Sequence, residues 1–190
     1  HTNFGTLINK VKLKKPDLMF TAVVGGSNVA WYKQLKAAGV TSKKYDMLTI
    51  STTEDEVLGI GGVNCEGFYS SMKYFQSIDT PENKAFVKAF KARWGDDSVI
   101  GDVTQAAYLG PWLWKKTVEK AGSFDIDKIA AASGGIEFKD APEGFVRIHD
   151  TNHHLWSKSK IGKFLKNGQF EIISTSSELI EPNPYPKGYQ

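Results

Sequence analysis

The feature that most constrains this chain is a change of hydrophobic periodicity at two glycines. Residues 14–40 read KKPDLMFTAVVGGSNVAWYKQLKAAGV, an apolar run of strand type that stops at Gly25 and Gly26 and passes straight into a helical stripe of Trp31, Leu35 and Ala38. A nearly continuous apolar strand suits a sheet covered by helices on both faces. A βα turn of paired glycines brings backbone amides close to whatever lies above it, a phosphate or a small neutral or zwitterionic molecule. Ser27 or Asn28 is placed to cap the helix and Gly39 to end it. The unit then repeats. Ahead of it, Phe4, Leu7, Ile8 and Val11 have helical spacing, and Pro16 favours extended geometry at Lys15. Behind it, residues 47–51 read as a second strand, Thr52 or Thr53 caps a short helix bearing Glu54, Asp55 and Glu56, and residues 68–74 read as a third strand. Such alternation predicts an α/β fold on a parallel sheet.

From Thr80 the character changes. Thr80-Pro81-Glu82 is a helix start, with Phe86, Phe90 and Trp94 four apart behind it. A second helix, about 104–121, is apolar round much of its girth, which predicts extensive burial, Trp112 and Trp114 included. A third helical segment, 125–132, leads to strands at 145–148, 159–166 and 169–174. Asn167-Gly168 marks a hairpin between the last two. Pro182, Pro184 and Pro186 exclude regular structure from the tail.

Composition narrows the function classes. The 24 basic and 21 acidic residues are interspersed, unlike the one-sided cluster that a nucleic-acid partner requires. Cys65 is alone, so the chain forms no internal disulfide and no cysteine-based zinc site. No run approaches the roughly 20 apolar residues of a membrane span, and none has the pattern of a signal peptide. The chain opens on His1 rather than Met, inside the lead to a helix, which suggests a partial chain.

Catalytic signatures are missing. There is no GxSxG, no Walker lysine, no HExxH and no glycine triplet in GxGxxG register. His153 and His154 point to opposite faces if extended and have no carboxylate beside them, so they read as a turn or strand edge rather than a metal site. Glu54, Asp55 and Glu56 read first as favourable charges at a helix N-terminus. The turns at the strand ends remain, residues 24–27 and 50–53, which offer hydroxyls and backbone donors without a fixed charge. That lining suits a small neutral polar ligand, although a tight turn alone also accounts for the glycines.

The succession KPDLMF, GGSNVAWYKQLKAAG, EGFYSSMKYFQSIDTPENKAFVKAFKARWG, QAAYLGPWLWKKTVEKAG, DAPEG and IGKFLKNGQFEII resembles the leucine-type (type I) periplasmic solute-binding proteins of ABC transporters. Within them it is most similar to the branch that binds urea or short-chain amides. The resemblance implies two Rossmann-like lobes with parallel sheets, hinged by three crossings, with the ligand between them. It assigns residues 1–73 to the second lobe, 74–160 to the first, and 161–190 to the return and the tail. The opening sheet of the first lobe, with the first strand and helix of the second, is expected ahead of His1, so the apolar faces of Trp94, Trp112 and Trp114 are expected to lack cover in this chain.

It also implies a non-catalytic periplasmic protein without cofactor or metal, whose partners are a urea-like or amide ligand and the permease subunits of a transporter. The cleft-facing positions would be Val24 and Gly25, Thr49 and Ser51, and Gln105 with Tyr108. Ile50 stands where amino-acid-binding relatives place an acid for the ligand ammonium, which favours an amide or urea. The rival readings are a branched-chain amino-acid-binding protein, an amide-sensing regulator of the same fold, and a fragment of an α/β enzyme.

Overall fold

Three βα steps build the first part of the molecule, and the computed structural model describes residues 2–188. Helix α1 (Gly5–Lys14) sinks Ile8 into the core and ends at Lys15. That residue is left-handed, φ 46°, rather than the extended conformer Pro16 favours, because its N–H closes the helix onto Val11 O at 2.8 Å. Strand β1 (Leu18–Thr21), helix α2 (Ser27–Ala37), strand β2 (Asp46–Thr49), helix α3 (Glu54–Ile60) and strand β3 (Tyr69–Met72) follow. The strands lie side by side and parallel, with Met19 opposite Met47 and Thr49 opposite Ser70.

The chain then leaves the sheet for helix α4 (Pro81–Trp94), helix α5 (Asp102–Ala121) and helix α6 (Ile126–Ser133). Short strands β4 (Glu137–Phe138), β5 (Val146–Ile148) and β6 (Leu155–Trp156) form a separate antiparallel sheet. Strand β7 (Lys160–Phe164) returns beside β3, antiparallel to it, and the turn at Gly168, φ 85°, brings β8 (Phe170–Thr175) back along β7. The large sheet therefore has the order β1-β2-β3-β7-β8. Gly162 is where the return strand passes the aromatic core: a Cβ there would lie 2.7 Å from the Phe75 ring.

The core falls into three clusters. Ile8, Trp31, Tyr32, Leu35, Val57 and Ile60 from α1, α2 and α3 pack with Met19, Met47, Phe164 and Phe170 on one face of the large sheet. Leu109 and Leu113 of α5 pack on the small sheet through Ile136, Val146 and Ile148. Tyr74, Ile78 and Ile100 gather Phe86 and Phe90 of α4, and Ile172 touches both this group and the first.

Two burial expectations fail for one reason. The apolar β1 predicts cover on both faces, yet Leu18 and Phe20 are 54% and 64% exposed, since α1, α2 and α3 all feed the opposite face. Helix α5 predicts extensive burial, yet Leu109, Leu113 and Thr117 form a single buried stripe, and Trp112 and Trp114 are 42% and 53% exposed. Trp94 of α4 is also open. An apolar side chain is buried only where another element covers it, and cover here is partial, with Trp114 against Phe124 and Trp94 against Phe90 and Arg93.

Candidate functional site

The carboxyl ends of β1 and β2 form one polar shelf. Gly25, φ 62°, turns the chain out of β1, and Asn28 N donates to its carbonyl at 3.0 Å. No side chain caps α2: Ser27 is its first residue, and Asn28 is buried and reaches across to Ser51 O at 3.4 Å. Ser51 answers in the other direction, its hydroxyl donating to Val23 O at 2.6 Å. These two contacts bind the β1–α2 turn to the β2–α3 turn.

Beneath the shelf lies a layer of hydroxyls. Thr49 is fully buried, with Oγ1 3.3 Å from Ser51 Oγ and 3.5 Å from Thr52 Oγ1. Ser70 Oγ donates to Thr52 O at 2.7 Å, closing the layer onto β3. The Tyr32 hydroxyl is enclosed here, and burial pushes its pKa well above the usual phenol range.

The acidic triplet divides into three tasks. Glu56 accepts from Thr53 N at 2.7 Å and completes a capping box, as charges at a helix start predict. Asp55 Oδ2 accepts from the Thr104 hydroxyl at 2.8 Å, tying α3 to the first turn of α5. Glu54 turns inward and accepts from Gln76 N at 2.7 Å, and burial raises its pKa to about 8. The amino terminus of α3 is therefore occupied by the chain's own carboxylates and offers no vacant seat to an anion.

Of the six positions expected to face a cleft, Val24, Gly25 and Ser51 come together on the shelf with Ile50 beside them, and Val24 and Gly25 are exposed. Thr49 lies one layer down and positions Ser51. Gln105 has no exposed surface and lies beside Glu143. Tyr108 lies against Phe86 with the rings tilted, centroids 4.5 Å apart, and edges onto Trp112. The start of α5 still abuts the shelf: a Cβ on Gly101 would lie 2.4 Å from Thr53 Oγ1.

Other polar residues carry no signal in a motif search. Asp102 Oδ1 accepts from Lys73 N and Tyr74 N at 3.1 and 2.9 Å, and Lys160 Nζ donates to Lys73 O and Glu143 O at 2.8 and 3.0 Å. Lys160 could have been found from strand parity, since it shares its face with Gly162 and Phe164. The histidines form a turn: His153 has φ 62° and lies 2.7 Å from Ser133 Oγ, while His149 stacks on Trp156. Among the described residues no three metal-binding side chains converge, and no helix is long and apolar enough to cross a membrane.

A periplasmic binding protein domain model matches residues 1–190. A leucine-, isoleucine-, valine-, threonine- and alanine-binding protein of Pseudomonas aeruginosa is 29% identical over 168 residues, covering 82% of this chain and 42% of that protein. A protein of Geobacillus stearothermophilus named limonene hydroxylase is 35% identical over 125 residues, 66% of this chain but 23% of its own length. A solute-binding protein of an R. palustris ABC transporter, solved with benzoate, superposes with a TM-score of 0.82 at 18% identity, over 96% of this chain and 49% of that one. The chain thus spans about half the length of that structure, or less of the two curated relatives.

Proposed function

We propose, from the premise that this chain belongs to the periplasmic binding protein domain family, that it forms part of a non-catalytic solute-binding protein serving an ABC importer from outside the cytoplasm. The ligand is a small neutral solute of the urea or short-chain amide class. Residues 1–73 and 161–190 belong to one lobe and 74–160 to the other, which is consistent with the separate clusters around the large sheet and around α5. Closure of the lobes on the ligand shifts the population toward the form a permease recognises.

The observation that carries the ligand class is the electrostatics of the shelf. Glu56 already fills the α3 terminus, Asp55 adds negative charge behind it, and Ile50 offers no counter-charge to an ammonium. A carboxylate ligand meets like charge there, and burying an uncompensated charge costs several kcal/mol. A neutral amide needs only hydrogen bonds, and Val24, Gly25 and Ser51 border a place where they are available.

Branched-chain amino-acid binding is the second reading, favoured by the similarity to the Pseudomonas aeruginosa protein. Calorimetric titration of the protein with urea, acetamide, leucine and benzoate separates the two. Urea or acetamide is expected to bind at least about tenfold more tightly than leucine, a difference of about 1.4 kcal/mol. Tighter leucine binding would overturn the amide assignment.

A further inference from the structure

Lys160 is 6% exposed, on the first residue of the strand that returns to the large sheet. Its ammonium is spent on two backbone carbonyls from different parts of the molecule: Lys73 O at 2.8 Å, where the chain leaves β3, and Glu143 O at 3.0 Å, in the loop between β4 and β5. Each of these segments is held independently on its other side. Residues 73 and 74 donate to Asp102 of α5, and Ala141 of the loop packs in the core of the small sheet.

We propose that Lys160 is a positioning residue of the junction between the two structural units, a cation that fixes the β4–β5 loop against the exit of β3 beside the contacts Thr53, Asp55 and Asp102 make at the start of α5. The inference rests on the two-lobe reading above but is independent of which ligand binds. A methionine would fill the same stem space but leave the Lys73 and Glu143 carbonyls without their donor, so the ammonium is what holds these two separate segments at one point. Burial as the main cause holds the Lys160 pKa below the usual lysine range, with Lys158 and Lys73 acting the same way and Glu143 and Asp102 opposing. The ammonium contacts the backbone carbonyl of residue 143, while the Glu143 carboxyl oxygens have no hydrogen-bond partner among the described residues. The joint is therefore made by main chain, which a side-chain change at residue 143 leaves in place.

Hydrogen exchange read by mass spectrometry on the ligand-free chain tests this, with Lys160→Met and Glu143→Gln as the variants. In Lys160→Met, exchange in residues 73–77 and 141–144 is expected to rise about tenfold, while β1 and β2 keep their protection. Glu143→Gln is expected to leave the junction as it is. Unchanged junction exchange in Lys160→Met would overturn the proposal. So would uniform loss of protection across both units, which would make Lys160 a stability residue, and so would equal loosening by Glu143→Gln. Because no solute enters the measurement, a wrong ligand class does not affect its outcome.

Discussion

Glu54 is a carboxyl placed where an amide would serve nearly as well. It is 1% exposed, accepts one bond from Gln76 N, and is held neutral toward a pKa of about 8 mainly by burial. A carboxyl whose folded pKa lies above its unfolded value stabilises fully below the unfolded value and loses that contribution as pH rises through the folded one. The window here runs from the ordinary glutamate value of 4.5 to about 8. Glu54→Gln should match the parent in acid and exceed it in stability above pH 8, by a few kcal/mol at most, at about 1.4 kcal/mol per pKa unit. Thermal unfolding across a pH series checks this, and the same pH dependence in the two proteins would refute it. The sequence shows Glu54, Asp55 and Glu56 as one acidic run. Which of the three turns inward depends on the contact with Gln76, 22 residues away, and no local pattern encodes that.

Helix α3 shows the opposite case, an element whose start is written in its own residues. The sequence offers Thr52 or Thr53 as its cap, and in the fold Thr53 takes that role in a capping box with Glu56 three residues on. Thr53 does more than cap, since its Oγ1 also accepts from Asp102 N at 3.3 Å and joins α3 to α5. Thr53→Ala should therefore cost about 1–2 kcal/mol, toward the upper part of the range for a lost cap. A thermal melt reads it, and a loss under about 0.5 kcal/mol would show that neither bond matters. Element type is legible wherever periodicity or turn chemistry decides it, as in the parallel order of β1, β2 and β3 and the β7–β8 hairpin at Gly168. The two-residue strands β4 and β6 are too short to show a period. The candidate shelf is legible at Val24, Gly25 and Ser51, which sit at strand ends, while the tasks of Asn28, Asp102 and Lys160 arise only from long-range contacts.

For the molecule as a whole, the uncovered apolar surface matters most. Leu18 and Phe20 lie on β1, the edge strand of the large sheet, so one strand presents both an open apolar face and unpaired main-chain groups. The chain on its own should self-associate with rising concentration, and Phe20→Lys should weaken that while leaving the melting temperature nearly unchanged, because the side chain is largely exposed already. Sedimentation velocity over a concentration series reads the effect, and unaltered association in the variant would clear this face. The pairing of β3 with β7 has a consequence of another kind. Ser71 of β3 and Ser159, the residue just ahead of β7, have hydroxyls 3.3 Å apart and lie 88 residues apart in the chain. At a translation rate of roughly 5–20 residues per second, a nascent chain carries the finished β1–β3 sheet with its β3 edge open for on the order of ten seconds before β7 emerges. During that interval β3, which the finished sheet encloses between β2 and β7, is itself an open border, and its exposure to wrong partners on the ribosome is set by the length of the excursion through α4, α5 and α6.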